Sequence, residues 1–446
     1  MHSLGCRANQ ADGDALAAGL TASGCTLAET GPADAIVVNT CAVTAEAERD
    51  ARAIIRKALR DNPATRIIVT GCYAQRAPQE LAALPGVAAV VGNSHKAAVL
   101  DLALERNLAN PGRFVALDAI RLPSLAPMLV SNDFAHADIA LPEEPGRFLQ
   151  RTRPALKVQD GCGNRCSFCI IPTTRGASRS LTADRILAEV EDFIAGGGAE
   201  LVLSGINLGR WGRDLAPAGR FEDLVDTILR QTGLPRLRIS SLEPMDWTEG
   251  LIAQFTRWGT GQHPRLARHA HIPLQSGSDA VLRRMHRRYR PWHYAAQVRA
   301  LRVASPQAAI GADVMVGFPG ETDAEFAETH DFIAGLPLTY LHLFPFSARP
   351  GTAAWHLHQE APVHGSAVRE RMGALRDLIR EKNQAFRQQF VGSAVSAITL
   401  RTNGPAGSAL TDNFLPLALD QVRPANQQIL ARVTALTPDG LAGVVL

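Results

Sequence analysis

Asp160-Gly161-Cys162-Gly163-Asn164-Arg165-Cys166-Ser167-Phe168-Cys169 holds three cysteines spaced C-x3-C-x2-C. Three thiolates on one short loop can hold three corners of a [4Fe–4S] cube. The loop has no fourth cysteine, which leaves one iron open to a small molecule. A structural zinc site needs a fourth N or S ligand nearby, and Asp160–Arg175 offers none.

The loop follows an apolar strand, Ala155–Gln159, and alternation continues from there. Glu200–Gly205, Arg236–Ser241, Ala270–Gln275, Ala312–Gly317 and Leu338–Phe344 read as further strands. Helical patterns at Thr182–Ala195, Phe221–Gln231, Asp279–Met285, Trp292–Val303 and Asp323–Gly335 separate them. Six βα units in succession predict an α/β fold with a partial TIM-like (βα)6 barrel, open on one side to a bulky substrate. Its active site belongs at the C-terminal strand ends, where the cysteine loop lies.

The first hundred residues repeat the same alternation. Ala35–Thr40, Arg66–Thr70 and Val87–Gly92 read as strands and Ala45–Leu59 as a helix, which predicts a parallel α/β domain. Cys6, Cys41 and Cys72 each follow a candidate strand end, so one sheet edge can gather all three into a second metal site. Cys25 is off this pattern and reads as structural. Only Met1–Gly5 precede Cys6, which is short for a first strand: either the strand is a stub or the sequence lacks its first few residues.

Asn107–Pro145 lacks periodicity and reads as a linker, with Phe114–Leu117 as a short strand and Pro142 and Pro145 as breakers. Val368–Gln389 is a long charged helix. Beyond it, Ala394–Leu400, Leu415–Leu419, Gln428–Val433 and Gly440–Val445 predict a small all-β module.

Composition bounds the rest. The 446 residues are 46% hydrophobic and 20% charged, the balance of an ordinary globular chain with a large core. No signal pattern or membrane-length apolar run is present, so the expected compartment is the cytoplasm. Seven cysteines are too few for a disulfide scaffold. A net charge of +3 excludes a histone-like DNA binder, and 5% aromatics argue against extended base-stacking platforms.

Polar strand ends at Ser240–Pro244, Gln275–Asp279 and Gly317–Thr322 read together as a binding face beside the cysteine loop. Arg283–Arg290 is the most basic run and a candidate for phosphate contact. His271 and His286 read as structural.

The C-x3-C-x2-C loop resembles the radical S-adenosylmethionine (SAM) signature. Leu4-Gly5-Cys6-Arg7-Ala8-Asn9-Gln10, Asn39-Thr40-Cys41 and Thr70-Gly71-Cys72 resemble the methylthiotransferase family in particular. The C-terminal β-module resembles that family's RNA-binding TRAM domain. It carries Pro416 and Pro424 near its strands and, from Ala394 onward, one aromatic, Phe414. The domains then run 1–103 (N-terminal methylthiotransferase domain), 104–147 (linker), 148–382 (radical SAM core) and 383–446 (TRAM-like module). Ser204–Gly209 and Arg287-Arg288-Tyr289 are most similar to the branch that acts on N6-threonylcarbamoyladenosine in tRNA. They are less similar to the branches acting on isopentenyladenosine or on a ribosomal protein aspartate.

The resemblance implies that Cys162, Cys166 and Cys169 bind the radical-generating cluster. SAM, seated at its open iron, is reductively cleaved to a 5′-deoxyadenosyl radical. Cys6, Cys41 and Cys72 would bind a second [4Fe–4S] cluster that carries sulfur for C2 of the adenine at position 37. That C2–H is not appreciably acidic, which is why radical chemistry is required; the cofactors supply the reactivity and the protein the orientation. Strand-end position makes Gly205, Glu243, Gln275 and Asp313 the expected SAM contacts. The expected partners are tRNA and an electron donor such as a flavodoxin or ferredoxin, with no membrane and a monomeric chain. A non-catalytic iron–sulfur RNA-binding protein is the rival. It is disfavoured because neither set offers a fourth thiolate apart from Cys25.

Overall fold

The computed structural model describes residues 1–28, 31, 33–104, 126–134, 137, 151–402 and 407–446. Phe114–Leu117, Pro142, Pro145 and most of the expected linker lie outside the described residues. The chain forms two compact units. One comprises Met1–Arg147, Lys157–Leu181 and Ser347–Thr352; the other comprises Phe148–Leu156, Thr182–Phe346 and Ala353–Leu446.

The first unit is built on a parallel five-stranded sheet in sequence order. Its strands are β1 (His2–Ser3), β2 (Ala35–Thr40), β3 (Arg66–Gly71), β4 (Val87–Val91) and β5 (Met128–Leu129). The first strand is two residues long. Met128–Leu129, which the sequence reading leaves in the linker, is instead the edge strand beside Val90 and Val91. The helix Ala45–Asp61 starts where Thr44 Oγ1 accepts from Ala47 N, and it buries Ala51, Ile55 and Ala58 at helical spacing. A second helix, Arg7–Ala22, begins directly after Cys6 and buries Leu16 and Leu20. The sequence reading did not expect it, because alanines and glycines thin out its apolar stripe. Cys25 packs beside this Leu16–Leu20 cluster.

Strand β6 (Ala155–Asp160) spans the division between the units, and its later residues pair antiparallel with β7 (Arg179–Ser180) inside the first unit.

In the second unit, β8 (Glu200–Gly205), β9 (Arg236–Ile239), β10 (His269–His271), β11 (Ala309–Val316) and β12 (Tyr340–Pro345) follow one another in parallel. Val202 N donates to Pro154 O, which sets the residue before β6 alongside β8. This is the expected partial (βα)6 barrel, with helices between the strands. Ala183–Ala195 buries Ile186, Val190 and Phe193, and Asp323–Ala334 opens with a Thr322–Glu325 capping box. Strand β10 stops short of its expected end at Gln275. Pro273 has no N–H to give the ladder, and Gln275 turns into the left-handed region at φ 64°.

The chain ends in a closed five-stranded barrel. It contains β13 (Ala394–Thr399), β14 (Gly407–Thr411), β15 (Pro416–Leu419), β16 (Gln428–Leu436) and β17 (Leu441–Val445). The small residues of β14 hid it from sequence. Glu200 anchors this part of the unit at zero exposure, accepting from Arg153 and Arg238. Arg238 also donates to the carbonyls of Thr411 and Asp412. The Phe414 ring lies 4.4 Å from the His269 ring, so this aromatic of the barrel is spent on internal packing. No helix among the described residues is long and apolar enough to cross a membrane.

Candidate functional site

In the first unit, Cys6 caps the helix Arg7–Ala22, Cys41 follows β2, and Cys72 follows β3 and opens the helix Cys72–Arg76. Parallel pairing of β1, β2 and β3 carries all three to one sheet edge. A Cβ added at Gly5 would lie 2.7 Å from Cys41 Sγ, which shows how closely the Cys6 turn approaches Cys41. Cys41 and Cys72 are buried and Cys6 is exposed. Burial pushes the Cys41 thiol up, and the nearby Cys72 and Cys6 add to it, to about 12. A thiol raised as Cys41 is stays protonated until a cation neutralises it, and metal binding does so.

Donors face the sulfurs. Val43 N lies 3.5 Å from Cys41 Sγ, and Asn93 Nδ2 lies 3.5 Å from Cys72 Sγ. Arg175 Nε donates to Cys72 Sγ at 3.3 Å. Thr70 Oγ1, a hydroxyl able to donate, is buried with no partner among the described residues. Three thiols with N–H donors and a guanidinium suit an anionic iron–sulfur cluster.

The second cysteine set belongs to the same unit. Gly161 precedes Cys162 at φ 75°, and a Cβ there would lie 1.9 Å from Ala177 O, so only glycine fits this turn. Cys162 N donates to Gly176 O, Asn164 N to Cys162 Sγ at 3.4 Å, and Cys169 N to Cys166 O. All three cysteines are partly exposed, as a loop that meets a small molecule requires.

A buried ion network joins the surroundings of the two sets. Arg175 donates to both oxygens of Asp160, to Asp12 Oδ2 at 3.0 Å and to Asn9 Oδ1 at 3.1 Å. Lys157 binds Asp12 and, at 2.9 Å, Asp160; Lys96 binds Asp12 at 2.5 Å. Burial alone would raise the two carboxyls. The cations override it and hold both Asp12 and Asp160 well below the usual carboxylate range. Sequence reasoning missed this network, since Asp12 and Lys157 are 145 residues apart.

In the second unit, parallel strands place Gly205 at the end of β8, Glu243 beyond β9 and Gln275 beyond β10. Glu243 is met by Arg287 NH2 at 2.5 Å. Gln275 is buried, and its Oε1 has no partner among the described residues. A non-glycine residue held at positive φ with an unpaired buried acceptor has capacity to take a donor from a ligand. The acceptor suits the ammonium group of an amino acid. Asp313 sits inside β11 and not past a strand end. Its Oδ1 accepts from His271 Nε2 at 3.0 Å and from His342 Nδ1 at 3.3 Å. Burial opposes ionisation of Asp313, and the two histidines hold its carboxyl well below the usual range. Tyr340 Oη extends the chain to His271 Nδ1 at 3.0 Å and His269 Nε2 at 2.7 Å. His271 thus sits in a cluster with Asp313 and His342 whose ligand atoms all lie within 4.8 Å of one another, while His286 lies at the surface. Asp246, unremarked in the sequence, is buried near Arg213 and packed against Gly209.

Most of the basic run is committed internally. Arg284 binds Glu325, Arg287 binds Glu243, and Arg283 and Arg290 bind Asp279. Arg288 is exposed.

Residues 1–92 match the uncharacterized protein family UPF0004, and residues 156–333 match the radical SAM superfamily. The chain is 34% identical over 398 residues to the threonylcarbamoyladenosine tRNA methylthiotransferase MtaB of Bacillus subtilis, covering 89% of this chain and 83% of the relative. It is 33% identical over 415 residues to the enzyme of the same name from Aquifex aeolicus, covering 93% and 94%. It is 34% identical over 414 residues to a tRNA-2-methylthio-N6-dimethylallyladenosine synthase of Parafrankia, covering 92% and 79%. Among solved structures it is similar to the radical SAM methyltransferase TsrM of Kitasatospora setae, with TM-score 0.51 and 16% identity over 73% of this chain and 66% of that one. At that identity the likeness is one of fold. Barrel, cysteine loop and superfamily match define a radical SAM protein. Within that class, the chain belongs to the tRNA methylthiotransferase family. Membership implies a [4Fe–4S] cluster and SAM, and the closed C-terminal barrel is consistent with a TRAM module.

Proposed function

We propose that the protein inserts sulfur at C2 of N6-threonylcarbamoyladenosine at position 37 of tRNA and methylates it, giving the 2-methylthio derivative. The observation that carries this reading is the pair of cysteine sets in one unit, each short of a fourth thiolate, in a chain whose relatives include several named for that nucleoside. Cys162, Cys166 and Cys169 would hold the SAM-binding cluster, and Cys6, Cys41 and Cys72 a second one. Bound SAM and clusters supply hydrogen abstraction and sulfur; the chain supplies binding, orientation and shielding. Gly205, Glu243 and Gln275 are the SAM-facing candidates, Gln275 through its unpartnered Oε1. Asp313 joins them through its backbone, since Gln275 N donates to Asp313 O at 2.8 Å. Exposed Arg288, Arg401, Arg423 and Arg432 are candidates among the exposed cations for contact with tRNA phosphates. A flavodoxin or ferredoxin would deliver the electrons.

Nucleoside mass spectrometry of tRNA from a deletion strain tests the substrate. Loss of 2-methylthio-threonylcarbamoyladenosine, restored by the gene and not by a Cys72→Ala copy, supports it. Loss of the methylthio group from dimethylallyladenosine instead would assign the chain to the other tRNA branch.

A further inference from the structure

Arg175 places a guanidinium directly on a cysteine sulfur, its Nε donating to Cys72 Sγ at 3.3 Å. It is 1% exposed, and all three of its nitrogens are engaged, on Cys72, Asp160, Asp12 and Asn9. Asp160 stands two residues before Cys162 and takes two bonds from Arg175 NH1. One planar group therefore spans from a sulfur of the first cysteine set to the root of the second set's loop. Around it lie Lys96 and Lys157, so three cations meet two carboxylates and one positive charge is left over. All five groups are buried, so that charge is little screened and acts on the sulfurs at close range. Iron–sulfur potentials respond to net charge and to hydrogen bonds on sulfur.

We infer that Arg175 is a positioning residue that fixes Cys72 and sets the reduction potential of the group held by Cys6, Cys41 and Cys72, with Asp12 as its counterweight. This rests on the reading that those cysteines hold a cluster. A merely structural network would respond alike to loss of either sign of charge. A potential-setting one responds in opposite directions. Losing Arg175 removes the excess cation and leaves two lysines against two carboxylates, a balanced set. Losing the Asp12 charge increases the excess.

The experiment uses the full chain with Cys162, Cys166 and Cys169 changed to alanine, reconstituted with iron and sulfide, so that one cluster remains. Its potential is followed by redox titration with electron paramagnetic resonance. Arg175→Gln should lower the potential and Asp12→Asn should raise it, each by about a tenfold change in the oxidised-to-reduced ratio, about 59 mV for one electron. Arg175→Lys should fall between Arg175→Gln and the parent. Should Arg175→Gln fail to fold, Asp12→Asn and Arg175→Lys carry the same test. Unchanged potentials, or shifts of the same sign for both charge losses, overturn the inference. A parent that takes up no iron would instead overturn the two-cluster reading, a distinct outcome.

Discussion

Gly71 passes so close to Thr40 that a Cβ on the glycine would lie 2.3 Å from the Thr40 carbonyl oxygen. Its φ of 97° is also one that side chains avoid. The turn delivers Cys72 from the end of β3 to the start of its helix, beside β2 and Cys41.

Gly71→Ala should therefore disturb the N-terminal cysteine set and spare the C-x3-C-x2-C loop. Backbone strain of this kind costs about 1–3 kcal/mol, and the clash adds to it. Iron analysis should find about half the wild-type iron, with SAM cleavage to 5′-deoxyadenosine retained. Full iron content would show that the turn is not needed to assemble the site.

Cys25→Ala should leave iron content unchanged. Cys25 packs beside Leu16 and Leu20, so its loss costs packing only, about 1 kcal/mol or less by urea unfolding. Loss of iron in this variant would make Cys25 a ligand.

Gln275→Gly separates strain from function. Glycine accepts φ 64° without penalty, so thermal stability should not fall by more than about 1 kcal/mol. SAM affinity, measured by equilibrium dialysis, should weaken about tenfold, the loss of one hydrogen bond to a charged group. Unchanged affinity would remove Gln275 from the SAM site.

Glu200 makes the fold acid-sensitive. Burial opposes its charge, yet Arg238, Arg153 and Arg236 hold its carboxyl well below the ordinary 4.5. The unfolded chain then binds the proton more readily than the native one. Stability from this group is full above the ordinary value and is lost as pH falls below it. Glu200→Gln should cost about 3–5 kcal/mol near neutrality, because it strands buried arginines. It should also flatten the decline of the urea midpoint between about pH 5 and pH 3. An equally steep decline in the variant would assign the acid sensitivity elsewhere.

Legibility in the sequence followed the length over which each signal is written. Val37, Val38, Ile67, Ile68 and Val69 announce buried strands within a few residues, and those strands stand where expected. The cysteine loop declares its chemistry in ten residues. Strand β14 did not, because Gly407, Ser408 and Ala409 carry little apolar signal. Neither did β5, two residues that become a strand only by pairing with β4. Arg175 follows two threonines with no local mark of its role. Its partners Asn9, Asp12 and Cys72 come from other elements, and only the folded sheet edge gathers them. Sequence marks Asp313 by its strand and not by His271 and His342, because the pairing of β11 with β10 and β12 sets that register.

Two separate clusters, one on each cysteine set, can be counted as iron on the Cys162→Ala, Cys166→Ala, Cys169→Ala protein. After anaerobic reconstitution the wild type should hold about eight irons and the triple variant about four, with SAM cleavage abolished in the variant. About four irons in the wild type and none in the triple variant would contradict the two-cluster reading, leaving Cys6, Cys41 and Cys72 without a cluster.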